Sequence, residues 1–238
     1  MSDGPLLEVR DLNVVRGKRQ ILCNISLSVG RGEIVALIGP NGSGKSTVLK
    51  TVMGLLPRES GQVCLDGQSI EPEPRRMLAA GIRYVPQTNG LFRDLTVLEN
   101  LRIAATAVGK ECSESNVVEQ AVSRHPFLTP KLRRMAGTLS GGEQQMLSVI
   151  CGFLLSPRLL LLDEPSGSLT QEKAKAVLGN VKTVARQGNT ATLIVEQHVH
   201  EVIAVADRVV VLRRGSVAFD GSATELGTGP ELGRRLLF

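Results

Sequence analysis

Residues 39–47 read GPNGSGKST and carry the strongest chemical signal in the chain. They fit the pattern G-x-x-x-x-G-K-[ST], set directly after an apolar run and before a helical pattern. Gly42 and Gly44 let the backbone curl so that successive N–H groups, with a helix N-terminus behind them, face a phosphate. The whole run is expected to line a nucleotide site: Gly39, Pro40, Asn41, Gly42, Ser43, Gly44, Lys45, Ser46 and Thr47. Lys45 would reach the β- and γ-phosphates, and Ser46 would ligate Mg²⁺. A second constellation is LLLLDE, Leu159 to Glu164, an apolar strand ending in two carboxylates. Asp163 would hold the metal through water, and Glu164 would orient and polarise an attacking water. Taken alone, the same pair also reads as an acidic cap before a helix, since Pro165 and Ser166 follow.

The third constellation, LSGGE at 139–143, is less self-explanatory. Ser140 is an N-cap candidate, and Glu143 three residues later completes a capping box. Gly141 and Gly142 bare the backbone N–H groups of a helix start, which suits an anion. Yet no lysine lies within the first two turns of that helix, so a phosphate site there would lack its own cation.

The elements that must position these residues can be outlined from periodicity. Residues 6–29 alternate and are rich in β-branched side chains, which predicts antiparallel strands with a turn near Gly17. EIVALIG is a short apolar run of the kind buried in a parallel sheet. A helical pattern covers Lys45 to Leu55. Two more strands are expected, one ending at Asp163 and one, ATLIVEQ, ending at Gln197. Between Gln87 and Pro157 the pattern is helical, in TVLENLRIAATAVG, SNVVEQAVSRH and GGEQQMLSVICGFLL. The tail predicts a hairpin followed by a short helix. One domain over residues 6–238 is expected, with a helical segment of about 88–156 inserted in a mixed α/β core.

Composition narrows the partners. Hydrophobic residues make up 42% of the 238-residue chain, enough for a sizeable core, and the net charge is +5. That charge fits nucleotide, nucleic acid or an anionic membrane surface. Aromatics are only 3%, with no Trp and a single Tyr, leaving little for stacking single-stranded bases, so no nucleic-acid partner is expected. Four scattered cysteines form no CxxC pair and predict buried, reduced thiols rather than zinc or disulfides. No signal peptide or membrane-spanning stretch is read. The pairs Arg75-Arg76, Arg133-Arg134, Arg213-Arg214 and Arg234-Arg235 read as solvated surface.

Taken in order, the phosphate loop, Gln87 in YVPQ, LSGGE, LLLLDEP and the segment around Gln197 resemble the nucleotide-binding subunit of an ABC transporter over essentially the whole chain. The resemblance implies a P-loop NTPase fold: a RecA-like core, an antiparallel β-subdomain and an inserted α-helical subdomain. It implies ATP and Mg²⁺, with Gln87 as a further metal ligand and Gln197 at the γ-phosphate. It also supplies the missing cation. In this family the signature Ser and glycines contact ATP held by the partner chain, so Ser140, Gly141, Gly142 and Glu143 would serve Lys45 of another subunit.

LSGGEQQML, LLLLDEPS, IVEQ and LFRDLTVLENL further resemble ATPases of branched-chain amino acid importers. That likeness implies a second ATPase subunit (identical or different), two transmembrane permease subunits and an extracytoplasmic solute-binding protein. It places the chain peripherally on the cytoplasmic face of the inner membrane. Cargo such as urea or amides, or a nontransport role in DNA repair or translation, are the alternatives. A nontransport relative usually shows a coiled-coil insertion or tandem ATPase domains, and a phosphate-loop kinase would have no LSGGE. The chain departs from the family at four places. Arg16 stands where an aromatic residue usually stacks on adenine. Gln197 stands where a switch His is usual, with His198 expected to start the next helix. Thr170 replaces an Asp that links the two sites. CGFLLSP replaces an Arg-Ala-Leu segment.

Overall fold

The computed structural model describes residues 4–88, 90–106 and 114–226. The chain begins with β1 (Leu7–Arg16) and β2 (Arg19–Val29), an antiparallel hairpin that places Arg16 opposite Arg19. Gly17, at φ 62, supplies the left-handed residue of the turn. β4 (Ser60–Leu65) and β5 (Gln68–Ile70) complete a four-stranded sheet of order β2-β1-β4-β5.

The second sheet has six strands in the order β10-β9-β3-β8-β7-β6. Its centre is β3 (Ile34–Ile38), β7 (Leu159–Asp163) and β8 (Ala191–Val195), in which every residue is buried. β6 (Ile82–Val85) and β9 (Arg208–Arg213) flank them in parallel, and β10 (Ser216–Ser222) closes one edge antiparallel to β9. The period of two sorts each central strand between two cores. Val35 and Leu37, Leu159 and Leu161, and Leu193 and Val195 face the core shared with the first sheet. Ile34, Ala36, Ile38, Leu160, Leu162 and Ile194 face the other.

Helices cover both faces of this sheet. α1 (Lys45–Val52) and α2 (Pro74–Ala79) sit on the first core through Val48, Leu49, Val52 and Met77. On the second core lie α6 (Gln171–Gly188), through Val177, Leu178 and Val181, and α7 (Val199–Ile203), through Val202. A third core joins α3 (Val97–Thr106), α4 (Glu114–Arg124) and α5 (Gly141–Phe153), through Val97, Leu101, Ala121, Leu147 and Ile150. α5 belongs to two cores, because Val149 and Phe153 on its other side pack against the sheet. Whatever moves the tip of α5 therefore moves both layers.

Several local expectations change. The first helix stops at Val52 rather than Leu55, since Gly54 turns the chain at φ 77. A Cβ on Gly54 would lie 2.6 Å from the Pro72 backbone, so the close approach of the two segments requires glycine there. After β10 the described chain, to Leu226, forms a turn and no helix; residues 227–238 lie outside the described part. The segment 107–109 of the expected third-core helix also lies outside it. Cys64 is buried and Cys151 half-buried, whereas Cys23 is exposed, against the expectation of buried thiols. Burial pushes the Cys151 thiol up to about 12, so it stays protonated.

Candidate functional site

The loop after β3 is shaped by what it touches. Gly39 has φ 148, and a Cβ there would fall 2.0 Å from the Leu212 carbonyl. Gly44 has φ 105, and a Cβ would fall 2.5 Å from Leu22. Only glycine lets β2 and β9 close on the loop from both sides. α1 then starts with no side-chain cap and no acidic residue in its first turn, leaving its N–H groups and partial positive charge uncommitted.

Lys45 is buried and donates to the carbonyls of Gly39, at 2.9 Å, and Pro40, at 3.1 Å. Burial lowers its pKa, and the nearby carboxylates of Glu164 and Asp163 oppose that shift. The ammonium is thus folded back on its own loop and has no anion as a partner. Ser46 donates to Asp163 Oδ1 at 2.7 Å, and the Tyr84 hydroxyl donates to Asp163 Oδ2 at 2.9 Å. Both Asp163 oxygens are therefore oriented, one by α1 and one by β6. Burial and the Asp163 charge raise the Tyr84 pKa, so Tyr84 is a donor at any ordinary pH.

Glu164 lies one residue beyond β7 in left-handed backbone, at φ 51. A non-glycine residue held there marks a position fixed by its surroundings. Its Oε2 accepts from Gln87 Nε2 on one side and from Gln197 Nε2, at 2.7 Å, on the other. Glu196 fixes the second of these glutamines. It is fully buried and accepts from Gln197 N at 2.9 Å and His198 N at 3.4 Å. Its other oxygen accepts from Ser166 N at 2.8 Å and Ser166 Oγ at 2.7 Å. One buried carboxylate thereby joins the end of β8 to the loop after Glu164. His198 precedes α7, as expected, and Gln197, not His198, reaches Glu164.

Several of these residues line one recess of about 450 Å³, among them Lys45, Ser46, Gln87, Glu164 and Gln197, together with Arg19, Ile21, Asn41, Gly42, Gly44 and Thr47; Asp163 is buried and accepts from Ser46. Arg16, the last residue of β1 before the first hairpin turn, also lines the recess. Ser46, Asp163 and Gln87 offer hydroxyl, carboxylate and amide oxygens, a donor set suited to Mg²⁺ rather than to a softer metal. Among the described residues no cluster of three or more His, Cys, Asp or Glu could hold a metal.

The signature segment lies apart: none of Ser140 to Glu143 lines that recess. Ser140 caps α5 in a complete capping box, with Ser140 N donating to Glu143 Oε2 at 2.8 Å and Glu143 N donating to Ser140 Oγ at 3.4 Å. A cation is present after all, supplied by tertiary structure. Lys131 pairs with Glu143 Oε1 at 2.6 Å, and the bond holds the Glu143 carboxyl down at about 2. That lysine is committed to a carboxylate, whereas the side chain of Lys173, on α6, passes beside Gly142, 3.6 Å from where a Cβ on that glycine would lie. Sequence reasoning missed Lys131, Tyr84 and Glu196. Each is defined by a contact across elements, and only Tyr84, three residues before Gln87, carried a local hint.

Comparison with known proteins agrees with this geometry. The ABC transporter family profile matches residues 22–167. The chain is 38% identical to the probable branched-chain amino acid transport ATP-binding protein LivF of Archaeoglobus fulgidus, covering 93% of this chain and 94% of that one. It is 34% identical to the high-affinity branched-chain amino acid transport ATP-binding protein BraG of Pseudomonas aeruginosa, covering 95% and 97%. The crystal structure of the ADP conformation of an ATP-binding cassette of an ABC transporter superposes with a TM-score of 0.85 at 26% identity, over 98% of both chains. The fold is therefore that of a P-loop NTPase cassette, a family that binds nucleotide. The chain belongs to the ABC transporter family, as the ATP-hydrolysing subunit of an importer.

Proposed function

We propose that the chain powers import of branched-chain or closely related amino acids, by hydrolysing ATP in a pocket it completes only with a second ATPase subunit. The observation that carries this reading is the separation of parts. Lys45, Ser46 and Glu164 line one recess, with Asp163 bonded to Ser46, while none of Ser140, Gly141 and Gly142 lines it. In the proposed cycle the backbone of Gly39–Thr47 and the α1 N-terminus cradle the phosphates, and Lys45 turns from the Gly39 and Pro40 carbonyls toward them. Ser46, Asp163 and Gln87 would hold Mg²⁺, which neutralises charge developing on the phosphates. Glu164, steered by Gln87 and Gln197, accepts the proton of the attacking water as its oxygen bonds the γ-phosphorus and the bond to ADP breaks. The partner's signature tip would close on the γ-phosphate, adding roughly 0.3–2 kcal/mol per helix N-terminus to closure.

Among the described residues no helix is long and apolar enough to cross a membrane. Permeases supply the span, with the chain docked on their cytoplasmic side and an extracytoplasmic binding protein delivering cargo. The cargo assignment rests on the two branched-chain relatives. One experiment addresses both halves: ATPase activity of the reconstituted complex, with binding protein and leucine, isoleucine or valine added, for the native chain and Glu164→Gln. Stimulation by these amino acids and a fall of at least about 100-fold in Glu164→Gln, with ATP binding kept, is expected. Stimulation by another solute alone would overturn the cargo, and near-native turnover in the variant would overturn the role of Glu164.

A further inference from the structure

Behind the phosphate loop lies a second and larger recess, of about 780 Å³, whose walls are cationic. Arg213 and Arg214 form one side, from the turn between β9 and β10, and Arg19 of β2 forms the other. Among the described residues no hydrogen bond or ion pair engages any of these three guanidiniums. Some other arginines have carboxylate partners: Arg31 and Arg158 share Asp66, Arg58 pairs with Glu71, and Arg186 with Asp207.

The turn is held rigidly. Gly215 N donates to the Ser43 carbonyl at 3.1 Å, and Cys23 N donates to the Gly215 carbonyl at 2.8 Å. Gly215 has φ 80, and a Cβ there would meet the Ile21 carbonyl at 2.4 Å, so the arginines are latched to both the phosphate loop and β2. A second, independent observation points to a ligand. Ser43 also lines the recess; it is 3% exposed, and its hydroxyl has no hydrogen-bond partner. A buried hydroxyl without a partner costs about 1–3 kcal/mol, which an oxyanion acceptor would relieve.

We propose that this recess, which adjoins the nucleotide recess and shares part of its wall, is a binding site for a small phosphoryl oxyanion that stays open when nucleotide is bound. Arg19, Arg213 and Arg214 supply the charge, and the Ser43 hydroxyl a neutral donor. The two recesses share Arg19, Ile21, Asn41 and Gly42, so inorganic phosphate freed in the first has a cationic station beside it. The link to product phosphate rests on the hydrolytic reading above, whereas the anion site itself does not.

The test is equilibrium dialysis of radiolabelled inorganic phosphate against the full chain saturated with ADP and Mg²⁺, so that the phosphate loop is occupied. The comparison variant is Arg213→Gln with Arg214→Asn, asparagine being tolerated at the left-handed φ of Arg214. Saturable phosphate binding in the presence of ADP, weakened at least about fivefold in the double variant with ADP affinity unchanged, is expected. Phosphate fully displaced by ADP, or bound equally by the double variant, overturns the site. A parallel arm uses vesicles containing phosphatidic acid. Arginine-dependent vesicle binding without binding of free phosphate overturns the link to product and assigns the site to a lipid headgroup. Failure of ADP itself to bind would instead sink the nucleotide-site reading, which separates the two claims.

Discussion

At the scale of single residues, the site is a set of donors aimed at two carboxylates and of N–H groups left without acceptors. Asp163 is gripped through both oxygens and Glu164 through one, so the proposed base keeps an oxygen free to take a proton. Arg16 is the outlier, a guanidinium on the recess wall at the position where the family resemblance implies an aromatic ring. It can stack on a base, but with less contact area than a phenol ring. Replacing Arg16 with Tyr is expected to strengthen ATP binding by about fivefold, near 1 kcal/mol, and to change GTP affinity by a different factor. Displacement of a fluorescent ADP analogue measures both, and unchanged affinity for both nucleotides would remove Arg16 from the base end.

Elements decide which of these residues can act together, and here the sequence was unevenly informative. GPNGSGKST and LLLLDE were legible because each motif is contiguous and its neighbours in sequence are its neighbours in space. β4, β5, α2 and β6 went unread, being short, and in places polar on both faces. Glu196 was illegible for another reason: it sits at the end of an apolar strand, and its meaning depends on Ser166, thirty residues away in sequence. A Glu196→Gln change keeps one acceptor and introduces an NH₂ where either Ser166 or the Gln197 and His198 N–H groups donate. Losing that acceptor should cost about 1–3 kcal/mol, or roughly 2–4 °C in melting temperature per kcal/mol. Because Gln197 then loses its anchor, kcat should fall further than KM rises; equal loss in both would make Glu196 merely structural. At the start of α5 the Lys131–Glu143 bond makes a pH prediction. The Glu143 pKa is depressed from 4.5 to about 2, so its stabilisation is complete above pH 4.5 and drains away as pH falls toward 2. The melting-temperature gap between the native chain and Glu143→Gln should be constant above pH 4.5 and close below it; a gap that persists at pH 2 would contradict the ion pair as its source.

For the whole molecule the question is whether a working pocket needs two chains. The phosphate loop and the α5 tip are set on different layers, tied through α5, which belongs both to the sheet core and to the helical core. In a single chain none of Ser140 to Glu143 lines the phosphate-loop recess, and under the proposed function a second copy or a related subunit would join the two halves pairwise. Two variants that are each inactive can decide this. Lys45→Ala removes the phosphate cation from every pocket of its own dimer. Gly141→Asp puts a negative charge at the first helical position of α5, where a phosphate would approach; the added Cβ meets nothing closer than Leu169 at 3.8 Å, so the fold should accept it. The same aspartate favours the helix dipole, which again spares stability. If the pocket is split between chains, a mixed dimer has one pocket carrying both defects and one carrying neither. Mixing the two inactive variants should then restore ATPase activity that neither possesses, in proportion to the mixed dimer formed. Where this chain pairs with a different ATPase subunit, the two changes belong one on each subunit: Lys45→Ala here with the signature aspartate on the partner should leave one intact pocket, while both changes on this chain should damage both. If mixed dimers demonstrably form and activity does not return, each chain completes its own pocket and the split-site account fails.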